Sequence, residues 1–168
     1  MITTLVCLAF PALLIYAAWH DLTTMTIPNW VSILLVAAFV PAAAASGLSM
    51  PEVGLHLAAG AVALLICAAL FYLNVFGGGD AKVIAAASLW MGAAGSGHFV
   101  MGTAVAGGLL ALLLIVVRRM KLSSSKAWAT RLLSPTEGAP YAVAIAAGAL
   151  FAAPYSPLLA AGLAGSAA

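Results

Sequence analysis

Charge is scarce in this chain: 168 residues hold six Lys/Arg and four Asp/Glu, and charged residues make up 6% of the whole. Soluble domains carry about a quarter, so this composition cannot build a water-facing globular surface. No Lys or Arg precedes Lys82. The opening apolar stretch, Ile2 to Trp19, thus lacks the basic region of a cleaved signal peptide and is expected to be a retained span. Cysteine is nearly absent as well. Cys7 and Cys67 lie in separate apolar runs, with no second Cys or His at ligand spacing, so they read as small buried hydrophobes and support neither a zinc site nor a disulfide. No charged linker or low-complexity tail marks off an aqueous domain.

What is present is hydrocarbon: 65% hydrophobic residues and a mean hydropathy of +1.19. At ~20 residues per crossing, the length suits five to seven spans. The expected fold is all-α, a polytopic bundle of about six transmembrane helices in a lipid bilayer, forming one domain over residues 1–168.

After Ile2–Trp19, the polar break His20-Asp21-Leu22-Thr23-Thr24-Met25-Thr26-Ile27-Pro28-Asn29 separates the first span from the second. Pro28 disfavours helix at Ile27, and Asn29 is placed to cap the next helix. The second span is expected from about Trp30 to Ala45 with a kink at Pro41, and the third from Val53 to Phe76. A short fourth helix, Val83 to Gly92, then ends at a turn over Gly95-Ser96-Gly97. His98 to Val117 gives a fifth span, in which Gly102, Ala106, Gly107 and Gly108 permit close helix contact. A sixth begins near Ala139 and runs through Phe151. Trp19, Trp30 and Trp90 fall near span ends, where an aromatic belt would lie.

Five of the six bases, Arg118, Arg119, Lys121, Lys126 and Arg131, cluster in one segment. Read as a topology signal rather than a nucleic-acid patch, they put the loop between spans five and six in the cytoplasm. With six spans, parity carries Asp21 and Asp80 to that same face, and Glu52, His56 and His98 to the other.

Of the four acids, Glu137 sits in the basic loop, and Glu52 begins a helix, where an acid complements the dipole. Asp21 and Asp80 singly read as a head-group-level loop residue and a helix cap. As a pair they read differently, because two carboxylates brought together cannot both ionise cheaply and share a proton. One member can then deprotonate a water that attacks an amide carbon while the other donates to the carbonyl oxygen. No metal, cofactor or covalent intermediate is needed. Gly77, Gly78 and Gly79 let backbone approach another extended chain and adopt conformations closed to other residues. A phosphate loop would end in G-K-[ST], which this string lacks. Lys82 either snorkels to the cytoplasmic surface or tunes the acids. His20 reads as an interfacial histidine beside Asp21.

Three segments together, G-G-G-D-A-K at Gly77–Lys82, D-L-T-T-M-T-I-P-N at Asp21–Asn29 and A-P-Y-A-V-A-I-A-A-G-A at Ala139–Ala149, resemble the type IV prepilin peptidases, especially the short branch serving Flp-type, tight-adherence pili. G-x-G-D alone is shared with presenilin-type and signal-peptide-peptidase proteases; its combination with D…I-P-N is far more specific. The resemblance implies an aspartic endopeptidase of the bacterial inner membrane with Asp21 and Asp80 catalytic and Gly77 and Gly79 as the G-x-G of the signature. It would remove the short basic leader of prepilins and pseudopilins at the cytoplasmic face, after a leader glycine and just before the pilin's hydrophobic helix. Many relatives carry bases after the first Asp, where this chain has Thr23, Thr24, Met25 and Thr26. It also lacks the cysteine-paired loop of the larger, methylating enzymes, so peptidase activity without methyl transfer is expected. Two rival classes are a small proton-coupled transporter with the Asp pair as carriers and a structural pilus-assembly subunit in which both Asp are dispensable. Against the transporter, no internal repeat is visible and both acids lie at span ends rather than mid-membrane.

Overall fold

The structure, a computed structural model, describes residues 2–75, 77–120, 125, 127–134 and 137–164. It is a helical bundle, with no strand among the described residues: α1 Ile2–Thr24, α2 Asn29–Ser46, α3 Met50–Tyr72, α4 Gly78–Arg119, α5 Ala127–Leu133, α6 Tyr141–Ala152 and α7 Pro157–Ala164, with a 3-10 turn over Ala153–Tyr155 before α7. Four helices, α1 to α4, are long and apolar enough to cross a membrane. The segment expected as a sixth span, from near Ala139 through Phe151, is the shorter apolar helix α6; the turn and α7 follow it as separate elements, because Pro154 and Pro157 lack the N–H groups that a continuous helix requires.

Helix α4, at 42 residues, contains one non-helical residue, Gly92, at φ 62° and ψ −176°. A straight helix would hold Asp80 and Gly107 ~40 Å apart. Yet Asp80 acts electrostatically on Tyr141, and a Cβ on Gly107 would lie 2.9 Å from the same ring. The chain therefore folds back at Gly92 into two limbs, residues 78–91 and 93–119. This corrects the expected turn over residues 95–97, which are helical. Gly92 takes the break because its backbone is in a region essentially reserved for glycine and because the His56 ring fills the space a Cβ would need. Gly95 instead packs closely on Met91 and Ser156.

The core lies where α1, α2, α4 and α6 meet, around Phe10, Leu14, Leu35, Trp90, Met91 and Ile145. Trp90 is fully buried and its indole N–H donates to the Leu35 carbonyl at 2.8 Å. It belongs to this core and not to an aromatic belt, whereas Trp19 and Trp30 are exposed. Thr103 packs directly on Gly148 where the second limb of α4 crosses α6, and Gly102 meets Phe151 there. Gly108 faces open space. Helix α3 begins with a capping box in which Ser49 and Glu52 satisfy each other's end groups, as the acid at that position suggested. Both cysteines are buried and unpaired.

Candidate active site

Asp21 stands in the last turn of α1. A carboxylate there opposes the negative end of its own helix dipole, and it is also buried, with 6% exposure. The compensation comes from a different helix: the Ala142 N–H, in the first turn of α6, donates to Asp21 Oδ2 at 3.0 Å. The chain leaves α1 through Met25 at φ 57°, and a small network then fixes the break. His20 Nδ1 lies 2.7 Å from the Thr26 carbonyl oxygen and 2.9 Å from the Thr24 hydroxyl. His20 thus serves the loop directly and reaches Asp21 only through its electrostatic field.

Asp80 is the third residue of α4, after Gly77 at the N-cap and Gly78 and Gly79 in the first turn. Its carboxylate accepts from the Gly77 N–H, so it is a first-turn acid reaching back to the cap and not the cap itself. The expectation that these glycines need conformations closed to other residues is corrected. Gly77 is ordinary extended backbone at φ −69° and ψ 146°, and the other two are helical. What the glycines supply is room. A Cβ would stand 3.0 Å from Asp80 Oδ2 at Gly77, 3.3 Å from the Phe71 ring at Gly78 and 3.2 Å from Ile27 at Gly79.

Asn29 corrects a further expectation. Asn29 makes no cap for α2, whose N-cap is Pro28. Its side-chain oxygen instead accepts from Lys82 Nζ at 2.8 Å. That bond and the Ile27–Gly79 contact join the segment after Asp21 to the segment around Asp80. The third segment arrives as Pro140-Tyr141-Ala142, with Pro140 fully buried and Tyr141 packed on Gly107.

The two aspartates, 59 positions apart in the chain, are close enough for Asp21 to act electrostatically on Asp80. Each carboxylate accepts from a backbone N–H at a helix start, so two positive dipole ends converge on one acid pair. Carboxylates that influence each other in this way do not ionise independently, which is what lets one serve as a base while the other stays protonated. Of the four residues expected to shape the site, Gly77 lies against the Asp80 carboxylate, whereas Gly78 faces Phe71, Gly79 faces Ile27 and Lys82 reaches Asn29. His56 and His98 lie elsewhere, His56 against Gly92 and His98 stacked on Tyr155 at 3.7 Å. Sequence reasoning missed the Ala142 N–H and the Asn29–Lys82 bond. The available signal was Pro140 directly before an apolar run, which marks a helix start whose N–H groups need acceptors.

The basic segment continues from the second limb of α4. Arg118 donates from Nε to the Leu132 carbonyl at 3.0 Å and from Nη2 to the Gly138 carbonyl at 2.8 Å. Lys121 and Lys126 lie outside the described residues.

A model of the type IV leader peptidase family matches residues 8–112, a stretch containing both aspartates. No curated protein and no solved structure matches the chain.

Proposed function

The chain belongs to the type IV leader peptidase family, and from that premise we propose that it is an aspartic endopeptidase that removes the short basic leader of Flp-type prepilins and pseudopilins, with Asp21 and Asp80 as its catalytic pair. What supports this is that Asp21 acts electrostatically on Asp80 while the Ala142 N–H in the first turn of α6 holds the Asp21 carboxylate. The ionised aspartate takes a proton from a water, whose oxygen bonds to the scissile carbonyl carbon while the protonated aspartate gives its proton to the carbonyl oxygen. Collapse of the resulting tetrahedral diol breaks the C–N bond. Proton transfer to the departing nitrogen releases the leader carboxylate and the new pilin amine. The N–H groups of Ala142 and Gly77 keep both carboxylates aimed through these steps.

The site is assigned to the cytoplasmic face of the bacterial inner membrane. Support comes from Arg118 and Arg119, which end the limb that passes Tyr141, since cytoplasmic loops concentrate Lys and Arg. We assign peptidase activity without methyl transfer. The transporter reading is less favoured by acids in terminal helical turns than it would be by acids at the midplane. The deciding experiment incubates purified protein with a prepilin and sequences the new amino terminus. Cleavage after a leader glycine by the wild type and none by Asp80→Asn is the expected result; an intact leader with both proteins sinks the proposal.

A further inference from the structure

The second limb of α4 holds the entry to α6 at two points. Arg118 donates from Nη2 to the Gly138 carbonyl at 2.8 Å. The Tyr141 ring rests against Gly107, where a Cβ would stand 2.9 Å from its Cε2 and 3.0 Å from its hydroxyl oxygen. Positions 107 and 118 lie ~3 helical turns apart, so both holds come from one face of one limb. Between them the chain passes through Pro140, which is fully buried.

Glycine is a poor helix former, yet Gly107 is buried inside a helix. What it supplies is room for the far end of Tyr141, since the atoms nearest to it are Cε2, Cζ and the hydroxyl oxygen. The tip of the side chain is thus seated on α4 while its backbone opens α6. The next residue is Ala142, whose N–H donates to Asp21 Oδ2 at 3.0 Å. A ring held at its tip by one helix and at its stem by another sets where that N–H stands. Asp80 acts electrostatically on the same phenol, so Tyr141 lies where the segments carrying both acids come together.

We propose that Tyr141 is a positioning residue of the peptidase: its ring, seated on Gly107 and backed by the Arg118–Gly138 bond, places the first turn of α6 so that the Ala142 N–H meets the Asp21 carboxylate. The consequence for cleavage rests on the leader-peptidase reading; the seat itself is a property of the fold. The ring is the part that matters, because it spans the distance from α6 to Gly107. Displacing it moves the donor, and a carboxylate without a fixed donor spends less time aimed for attack. Such a loss falls on kcat, since the geometry of the reacting groups changes and the affinity for substrate does not.

Two measurements test this: kcat and KM with a prepilin peptide, and amide hydrogen exchange at Ala142 in detergent. Tyr141→Leu keeps an apolar helix former and loses the ring; kcat is expected to fall about tenfold or more at nearly unchanged KM, and the Ala142 amide to exchange about tenfold faster. Tyr141→Phe retains the ring and is expected to bring both back to within about threefold of wild type. Gly107→Ala pushes on the ring from the other side. Alanine is the better helix former, so the melting temperature should hold while kcat still falls about threefold or more. Gly108→Ala, with nothing within 4 Å of the added carbon, is the control and should match wild type. Should Tyr141→Leu fail to fold, Gly107→Ala decides alone. Wild-type kcat and exchange in Gly107→Ala, or a Phe variant as impaired as the Leu variant, overturns the seat while leaving the peptidase standing. Faster Ala142 exchange in the variants, with no cleavage even by wild type, refutes the peptidase reading and leaves the seat.

Discussion

The backbone N–H of Ala142 donates to Asp21 Oδ2 at 3.0 Å across 121 positions of sequence. One bond therefore does two things: it satisfies an end group of α6 and it aims a buried carboxylate. Asp21→Asn retains an acceptor oxygen for that N–H and removes only the proton chemistry. Cleavage is expected to fall at least ~100-fold, within the range for losing a general acid or base, with an unchanged melting temperature in detergent. Asp21→Ala strands the N–H as well and should cost about 1–3 kcal/mol of stability. Equal melting of the two variants would mean that the bond contributes nothing.

Asn29 and Lys82 tie the segment after Asp21 to the segment after Asp80 by a single hydrogen bond. Its exposure limits the stability it adds, but its loss should loosen the relative placement of the acids. Asn29→Ala and Lys82→Met are each expected to lower kcat/KM about fivefold, equivalent to ~1 kcal/mol for a bond of this kind. The double variant should be little worse than either, since the same interaction is already gone. Strictly additive losses in that cycle would disprove the coupling.

Gly92 is the residue on which the return of α4 depends. Gly92→Ala must carry a side chain at φ 62° and ψ −176°, worth about 1–3 kcal/mol of strain, and must also displace the His56 ring. A large drop in thermal stability is expected, and His56→Ala in the same chain should recover only part of it because the backbone term remains. Full recovery would show that the contact alone mattered.

Where the second limb of α4 crosses α6, Gly148 faces backbone and side-chain atoms of Thr103. Gly148→Ala has nowhere to place its methyl group and should destabilise by at least ~2 kcal/mol, in the range for forced overpacking. Thr103→Ser should not rescue it, since backbone atoms are among those in the way. Gly108→Ala, with nothing within 4 Å of the added carbon, should fall within about 0.5 kcal/mol of wild type. Urea or heat denaturation in micelles compares the three directly.

Much of the site was legible in the chain because the scarcity of charge made each acid conspicuous: Asp21 and Asp80 stand out against hydrocarbon. What the glycines do was not legible. Gly77, Gly78 and Gly79 looked like conformational freedom and proved to be clearance for Asp80, Phe71 and Ile27, neighbours identified only once α3, α4 and the segment between α1 and α2 are packed. Trp90 misled for the same reason. Its place near a span end suggested a belt, but the fold-back two residues later turns it into the core.

By itself the amino-acid order determined membrane residence, helical architecture, the stretches that become helices and the two acids on which chemistry could rest, because hydropathy and turn chemistry act within a few residues. Tertiary structure alone decided where α4 reverses, which N–H meets Asp21, which partner Lys82 takes and where the Tyr141 ring is seated. Those outcomes depend on contacts between distant segments, where the space beside a residue is set by whatever packs against it.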